Sequence, residues 1–325
     1  MTAEFTRSFI VEESESRDRL DHFLERRIAG LSRGRIRSAI LRGEVTVDGE
    51  HRESGRKLRP GQQIVVAFES APLLTMAPED IPLSVIHEDD ELLVVNKPAG
   101  MYAHPTHRVH SGTLLNAAAW HLNLGSPLVT IKPLLVHRLD RATSGLLVMS
   151  KTLKAHAFVA KQWMERRVEK AYVALLSGRL AEVEGIIDAP IGSSREHHPG
   201  FRVMQEGRPA QTRYREVERI GPWALVEMEP LTGRTNQLRI HAAFGGAAIA
   251  GDDLHGQPEL EVFRAANPGV EEPGRLFLHA ARLRFEHPMT RKPLELVAPL
   301  PPELDEFLRV VRTIDREEGP RIRRI

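Results

Sequence analysis

The residues best suited to chemistry in this sequence surround a single acid, Asp140, which stands between Arg138 and Arg141. Apolar residues precede this acid, and Thr143-Ser144-Gly145 leads into a second apolar run. An acid in a partly apolar cleft with a guanidinium nearby stays ionised and oriented, which suits a nucleophile or a base. The same Asp-x-x-Thr-Ser-Gly pattern is also typical of capped turns, and taken alone it favours a structural cap by about two to one.

A second group of candidate residues, positions 231–241, places Arg234 directly after Gly233 and near the start of a predicted helix. The stretch lacks the Gly-x-x-x-x-Gly-Lys spacing of a phosphate-binding loop, so nucleoside triphosphate binding is not indicated. An arginine in this position is better suited to pairing with a carboxylate or a phosphate. The alternative is an ordinary capped amphipathic helix, and these residues are expected to form such a helix in either case.

The elements that must position these residues belong to the larger part of the chain, which we expect to span residues 83–315. Apolar or alternating runs predict strands at 92–95, 146–149, 170–176, 211–219, 224–229, 275–285 and 294–298. Helical spacing predicts helices at 113–122, 153–168 and 235–244. Because strands and helices do not alternate regularly, the pattern indicates an α+β fold with a mixed, largely antiparallel sheet.

The first 70 residues predict a separate small unit of two helices and a β-ribbon. Apolar residues recur at helical spacing at positions 20, 23, 24 and 28, and again at positions 36, 39 and 40. Alternating residues at 45–47 and an apolar run at 63–68 predict strands. Residues 71–82 contain prolines without periodicity and predict a linker, and residues 316–325 predict a basic tail.

Charge is distributed unevenly in this small unit, because six arginines and no acid lie between residues 26 and 42. A solvated helix face would explain an ordinary charge run at about even odds. Arginines without acidic partners suit phosphate contacts better than such a face. The residues that crowd the second helix are Arg33, Arg35, Arg37 and Arg42.

Composition excludes several classes of protein. The 325 residues, of which 41% are hydrophobic, can bury a sizeable core, and the net charge of +1 does not bear on nucleic-acid binding. The absence of cysteine excludes disulfides, thiolate metal sites and cysteine nucleophiles. No apolar run approaches the ~18 residues that span a bilayer, and the N-terminus lacks a signal-peptide core. We therefore expect a cytoplasmic monomer with no membrane partner.

Three histidines at three-residue steps, His104, His107 and His110, suggest a metal site. They lie in a loop that contains a proline and has no acid ligand nearby, so we place zinc at roughly one in ten. Loop histidines that face solvent or RNA are the expected alternative, and we expect no metal in this protein.

Five stretches together resemble the RluA-type RNA pseudouridine synthases, and they follow the order of that family. The most specific is His137-Arg138-Leu139-Asp140-x-x-Thr143-Ser144-Gly145, which is similar to the family's catalytic-aspartate motif. The others are Asn96-Lys97-Pro98-x-Gly100, Glu169-Lys170-x-Tyr172, Gly233-Arg234-Thr235-x-Gln237-x-Arg239, and Leu278-His279-Ala280 with Phe285-x-His287-Pro288. The similarity covers about residues 83–300.

The small unit resembles a second family, the S-four-type RNA-binding domain, over residues 17–68. The similar stretches are residues 19–24, 31–36, 42–49 and 57–64. This resemblance implies recognition of structured RNA through the basic helix. It says nothing about chemistry.

Together the resemblances imply an isomerase that converts specific uridines in RNA to pseudouridine without a metal or organic cofactor. They assign Asp140 to attack on the ribose or to removal of a ribose proton. They assign Tyr172 to stacking on the target base, with help in removing its carbon-5 proton, and Arg234 to pairing with Asp140. Arg138 would fill the space left when the nucleotide flips out. Arg33, Arg35, Arg37 and Arg42 would bind RNA.

The resemblance also favours large-subunit ribosomal RNA as the substrate, with transfer RNA as the alternative. Asn236 stands where a histidine is usual, and Leu254-His255-Gly256 replaces a commoner Tyr-Gly ending, departures that bear on substrate identity more than on activity. A ribosome-assembly factor without activity is a further alternative, but Asp140, Tyr172 and Arg234 are intact. A glycoside hydrolase would need a second carboxylate, for which no candidate is evident.

Overall fold

The computed structural model describes residues 5–28, 33–68, 77–106, 109–123, 131–193 and 200–318. The chain divides into two compact units, Met1–Thr75 and Met76–Ile325. No helix in these described ranges is both long enough and apolar enough to cross a membrane.

The smaller unit combines a four-stranded antiparallel sheet with two helices. Its elements are β1 (Phe5–Ile10), α1 (Leu20–Arg27), α2 (Arg33–Leu41), β2 (Val45–Val47), β3 (Glu50–His51) and β4 (Gln63–Phe68), in sheet order β1-β4-β2-β3. The apolar positions that predicted both helices are buried, from Leu20 and Phe23 to Ile36 and Ala39. The two predicted helices and the ribbon are therefore confirmed, whereas β1 was not predicted.

The prediction that the basic residues of this unit have no acidic partners is wrong for Arg37 and Arg42. The Nε atom of Arg37 lies 2.9 Å from Asp21, and that of Arg42 lies 2.6 Å from Glu44. Glu44 follows Arg42 by two residues, just outside the arginine run, whereas Asp21 lies in α1 and is distant from Arg37 along the chain. Each arginine side chain is still about half exposed, at 49% for Arg37 and 52% for Arg42. The side chains of Arg33 and Arg35 lie outside the described residues.

The larger unit is built on one long sheet with helices packed against it. Its elements are β5 (Val85–Glu88), β6 (Leu92–Lys97), α3 (Leu114–Leu122), β7 (Leu134–Leu135), β8 (Ser144–Ser150), α4 (Leu153–Met164), β9 (Glu169–Ser177), β10 (Glu184–Asp188), β11 (Ile191–Ser193), β12 (Phe201–Val203), β13 (Gln211–Ile220), β14 (Trp223–Pro230), α5 (Gln237–Phe244), α6 (Gln257–Ala266), β15 (Leu278–Glu286), β16 (Pro293–Val297) and α7 (Pro302–Glu318).

In the described part of the chain this sheet has the order β10-β13-β14-β9-β15-β8-β6-β5, with β16 beside β15 and β7 beside β8. The pairing of β15 with β8 is parallel, and the others are antiparallel. The predicted α+β class with a mixed, largely antiparallel sheet is confirmed. The strands β5, β7 and β10–β12 and the helices α6 and α7 were not predicted.

The loop that contains Asp140 leads directly into the central strand β8, and all seven residues of β8 are buried. It can approach β15 only because its second residue is Gly145, whose φ is +119°. A Cβ atom at that position would lie 2.4 Å from the carbonyl oxygen of Ala280. A glycine is therefore required where the loop that carries Asp140 joins the sheet.

The predicted linker and the predicted C-terminal tail are each described only in part. Of the predicted linker 71–82, residues 71–76 lie outside the described ranges, and residues 77–82 lie against α3. There the Asn116 Nδ2 atom donates to the Ala77 carbonyl at 2.9 Å, and the Glu79 N–H donates to the Asn116 carbonyl at 3.1 Å. At the other end, α7 runs to Glu318, into the predicted tail, and the remainder of that tail is outside the described residues.

Candidate active site

A cleft of about 640 Å³ in the larger unit brings most of the predicted site together. It is lined by the 136–143 loop before β8, the start of β9 and the 230–239 segment that leads into α5. Asp140, Arg138, Tyr172 and Arg234 all contribute to its walls, as does Arg239. The remaining predicted RNA-binding residues, those at positions 33, 35, 37 and 42, belong to the smaller unit.

Asp140 is held in a loop that is fastened to the segment after β6. The Gly100 N–H donates to the Arg141 carbonyl at 2.7 Å, and the Arg141 Nε atom donates back to the Gly100 carbonyl at 3.0 Å. Below them the fully buried Lys97 ammonium donates to the carbonyls of Pro98 at 2.8 Å and Arg141 at 3.4 Å. The backbone directly after Asp140 is thus fixed to the segment that follows β6.

The carboxylate of Asp140 differs from that of an aspartate that caps a turn. Asp89 shows the second case, since its Oδ1 atom accepts the N–H groups of Glu91 and Leu92 at 2.8 Å. Although burial opposes it, that hydrogen bonding holds the pKa of Asp89 at about 2. Within the described residues, the Asp140 side chain accepts no such bond, and burial raises the pKa of Asp140 above its ordinary value. The capping interpretation, favoured from the sequence alone, does not fit this geometry.

Opposing charges surround this carboxylate. The cations Arg239, Arg138 and Lys97 lower the pKa of Asp140, in that order of strength, and Asp252 raises it. These cations do not fully offset the effect of burial. The structure therefore describes an acid in a poorly solvated place, whose ionised form burial opposes and the neighbouring cations favour, as suits a reacting carboxylate.

Arg239, rather than Arg234, is the foremost cation acting on Asp140. Arg239 lies in α5 with only 4% of its side chain exposed, and its Nε atom lies 2.7 Å from the fully buried Asp252. Arg234 precedes the helix, and its Nε atom donates to the Pro209 carbonyl at 3.0 Å. Burial and the charges of two other arginines, at positions 208 and 166, lower the pKa of Arg234.

Within the described residues neither arginine forms an ion pair with Asp140, and Arg239, which is paired with Asp252, acts on Asp140 through its charge. The physical reason is where the helix begins. Because α5 begins at Gln237, the first arginine lies in the loop, while the second lies on the buried face of the helix. The sequence signal for Arg239 was its place in the third position of an amphipathic helix, with Asp252 available as a buried partner.

Tyr172 lies at the wall of the cleft, on β9 between Met228 of β14 and Ala280 of β15. Burial, and then the negative charge of Asp140, raises the pKa of Tyr172. Its phenol is therefore neutral and keeps its proton near neutral pH. A neutral ring in this place can stack on a base or form a hydrogen bond, but it is a weak base by itself.

The histidines fall into two groups. His104 lines the cleft, where burial and the charge of Arg138 lower its pKa. His107 lies outside the described residues, and no metal-type cluster that includes His104 or His110 is found among the residues that are described.

A three-residue cluster elsewhere, His87, Asp89 and His287, brings ligand-type atoms within 4.8 Å of one another. Both histidine Nε2 atoms lie 2.8 Å from the Asp89 Oδ2 atom, while the His287 Nδ1 atom accepts the N–H groups of Met289 and Thr290. An imidazole that accepts at Nδ1 carries its proton on Nε2, so this nitrogen donates to Asp89 and is not free for a metal. Through Asp89 the cluster links the turn after β5 to the segment after β15.

Comparison with known proteins identifies the family of this chain. A family model described as RNA pseudouridylate synthase matches residues 91–244. The RNA pseudouridine synthase YlyB of Bacillus subtilis is 33% identical, over 92% of this chain and 96% of its own length. Ribosomal large subunit pseudouridine synthase D of Nitrosomonas europaea is 36% identical, over 91% of this chain and 85% of its own.

Among solved structures, human RNA pseudouridylate synthase domain containing 4 has a TM-score of 0.57 at 26% identity, covering 70% of this chain and 93% of its own. This chain thus shares its fold with a protein of that name. The chain belongs to the RNA pseudouridine synthase family. It is an isomerase that converts uridine in RNA to pseudouridine.

Proposed function

We propose that this chain isomerises uridine in large-subunit ribosomal RNA, with Asp140 as the reacting carboxylate. The observation that carries the proposal is the position of Asp140, whose carboxylate is free of the turn and faces a cleft beside Arg239 and Tyr172. The relatives named ribosomal large subunit pseudouridine synthase D or C, in Nitrosomonas europaea and Vibrio vulnificus, support ribosomal RNA as the substrate. The proposal includes action as a cytoplasmic monomer.

The reaction breaks the bond between ribose C1′ and uracil N1 and forms one between C1′ and C5. The proton on C5 leaves, and N1 gains one. Asp140 either attacks the ribose or removes a ribose proton, and both routes need an ionised carboxylate. The charge of Arg239 favours that ionised state, and Lys97 does the same in its protonated form, although burial and the charge of Arg275 lower the pKa of Lys97 to about 7.

The other residues of the cleft serve binding and orientation. Tyr172 stacks on the target uracil as a neutral phenol, and any part it plays in removing the C5 proton needs a partner that accepts its own proton. Arg138 is exposed at the edge of the cleft and fills the space that the flipped nucleotide leaves. Arg234, which shares its surroundings with Arg208 and Arg166, contacts a backbone phosphate.

The smaller unit acts as an S-four-type RNA-binding module, and α2 is its contact surface. Arg33 and Arg35 are two of its predicted phosphate contacts. Arg37 and Arg42 add to the positive surface with guanidinium groups that remain about half exposed beside their acids, at 49% and 52%. Because an ion pair cancels part of a guanidinium's field, these two contribute less to binding than arginines without acidic partners.

The substrate assignment is tested by treating unmodified ribosomal and transfer RNA with the purified protein and mapping pseudouridine in each. We expect new pseudouridine in large-subunit ribosomal RNA. Modification of transfer RNA alone would contradict the assignment of the substrate while leaving the activity intact.

The role of α2 is tested with the double variant Arg33→Gln/Arg35→Gln. Each phosphate contact contributes about one unit to the slope of log affinity against log salt, so the slope should fall by about two. The matched control is Arg52→Gln in the same unit, where the guanidinium is already paired with Glu50. Equal slopes for the double variant, the control and the wild type would show that α2 does not bind RNA.

A further inference from the structure

Two residues beside the Arg239–Asp252 ion pair, Asn236 and His255, are hydrogen-bonded to each other. The Nδ2 atom of Asn236 donates to the Nε2 atom of His255 at 3.0 Å. Asn236 lines the cleft, and His255 is only 6% exposed. Asn236 and the Leu254-His255-Gly256 stretch both depart from the residues usual in the family, and the structure places Asn236 in contact with His255.

Asn236 stands at the start of α5 but does not cap it. Its backbone is left-handed, with φ +54° and ψ +23°, and its side chain forms no hydrogen bond to the helix. Asparagine adopts this conformation more readily than most residues. The Asn236 side chain instead donates to His255. Asn236 itself lies three residues before Arg239, which is in the first turn of α5.

His255 belongs to the turn that supplies the partner of Arg239. The N–H groups of His255 and Leu254 both donate to the Asp252 Oδ1 atom at 2.9 Å. The next residue, Gly256, approaches the chain so closely that a Cβ atom there would lie 2.4 Å from Ala248 Cβ. The turn that carries Asp252 and His255 is therefore held in one place against the core.

The imidazole of His255 is suited to accepting a hydrogen bond. Burial, and then the charge of Arg239, lowers the pKa of His255 to about 4. The ring is therefore neutral near neutral pH, with its proton on Nδ1 and its Nε2 lone pair available to Asn236.

We propose that Asn236 and His255 are positioning residues, which hold the start of α5 to the 252–256 turn and so fix the Arg239 guanidinium against Asp140. The ion pair of Arg239 with Asp252 is one link between these elements, and the Asn236–His255 hydrogen bond is a second. This inference rests on the proposed role of Asp140. Arg239 and Asp252 are both buried, so a small displacement of the helix changes the charge that Asp140 experiences.

Loosening Arg239 is expected to move the acid limb of the activity profile to higher pH. The charged groups that act on Asp140 are Arg239 from α5, Arg138 from its own loop, Lys97 from the end of β6 and Asp252 from the turn before α6. The phenol of Tyr172 also faces it from β9. Arg239 lowers the pKa of Asp140, so loosening Arg239 raises that pKa. The ionised carboxylate, and with it the activity, is then lost at a higher pH on acidification.

The test variant is Asn236→Gly, which removes the side chain and tolerates the left-handed backbone. Loss of this part-buried hydrogen bond should lower kcat for pseudouridine formation by about three- to tenfold. The acid limb of the kcat profile should move to higher pH by about half a unit. The matched control is Asn267→Gly, at the end of α6, which also removes one side-chain hydrogen bond. We expect its pH profile to match that of the wild type.

His255 supplies the second arm. His255→Phe should lower kcat and shift the acid limb as Asn236→Gly does. His255→Tyr should keep most of the wild-type activity, because the phenol oxygen can accept a hydrogen bond from Asn236. The double variant Asn236→Gly/His255→Phe should be no worse than the poorer single variant, since one bond is removed in each case.

Three results would overturn the inference. The first is an unchanged acid limb in Asn236→Gly, and the second is full additivity in the double variant. The third is a higher KM with unchanged kcat, which would indicate that Asn236 contacts RNA directly. If the wild type itself forms no pseudouridine, the proposed function fails, and that result is distinct from failure of the positioning role alone.

Discussion

Replacing Asp140 with asparagine is expected to abolish pseudouridine formation while leaving RNA affinity within about twofold. Removing the reacting group of an enzyme commonly lowers kcat by about 10⁴-fold or more. An amide cannot attack the ribose or accept its proton, yet it has nearly the same shape as the carboxylate. Rates of pseudouridine formation and dissociation constants for the same RNA, measured side by side, test both parts.

The stability of this variant should not fall, which separates loss of chemistry from loss of folding. Burial raises the pKa of Asp140, so its ionised form is less favourable in the folded chain than in the unfolded chain. The melting temperature of Asp140→Asn should therefore equal or exceed that of the wild type at neutral pH. The matched control is Asp90→Asn, an exposed acid beside β5, which should keep full activity. A folded Asp140→Asn variant with more than about 1% of wild-type activity would remove Asp140 from the chemistry.

The second large effect is expected at Arg239. Arg239→Gln should lower kcat by about 10²- to 10³-fold, since it removes the foremost cation acting on Asp140. It should also destabilise the fold by about 3–5 kcal/mol, the usual cost of leaving one member of a buried ion pair without its partner. Arg234→Gln should instead act mainly on KM, since Arg234 lies in the loop before the helix. Steady-state kinetics and thermal unfolding of both variants test the contrast.

Folding and chemistry can be separated at Arg239 with a second variant. Arg239→Gln/Asp252→Asn replaces the buried ion pair with two neutral amides, which should recover much of the stability. It should not recover activity, because no cation is returned to the side of Asp140. Recovery of both stability and activity in this double variant, or a larger kcat loss in Arg234→Gln, would contradict the role given to Arg239.

Sequence patterns predicted those features of the fold that depend on local periodicity. The stripe at Leu20 and Phe23 identified α1, and the run at 146–149 identified β8, because burial of one face leaves a regular spacing. The same logic applied to α7, whose buried Leu304 and Leu308 have helical spacing, but that helix was not predicted.

Features that depend on side-chain direction or on distant partners could not be read in this way. Motif spacing marked both arginines of the 233–239 stretch, but only the start of α5 decides which one faces Asp140. The basic run of the smaller unit was judged to lack acidic partners, because Asp21 lies in another helix from Arg37. The contact between Asn236 and His255 joins residues 19 positions apart, and only the turn at Asp252 brings them together.

The most direct test of the central claim is the release of tritium from RNA that carries it at carbon 5 of uridine. Forming the new bond to C5 expels that hydrogen, so release counts each isomerisation. We expect the wild-type protein to release tritium in equal amount to the pseudouridine formed in large-subunit ribosomal RNA, and Asp140→Asn to release none above background. Tritium release by Asp140→Asn at the wild-type rate would contradict the account, as would pseudouridine formation that does not depend on this carboxylate.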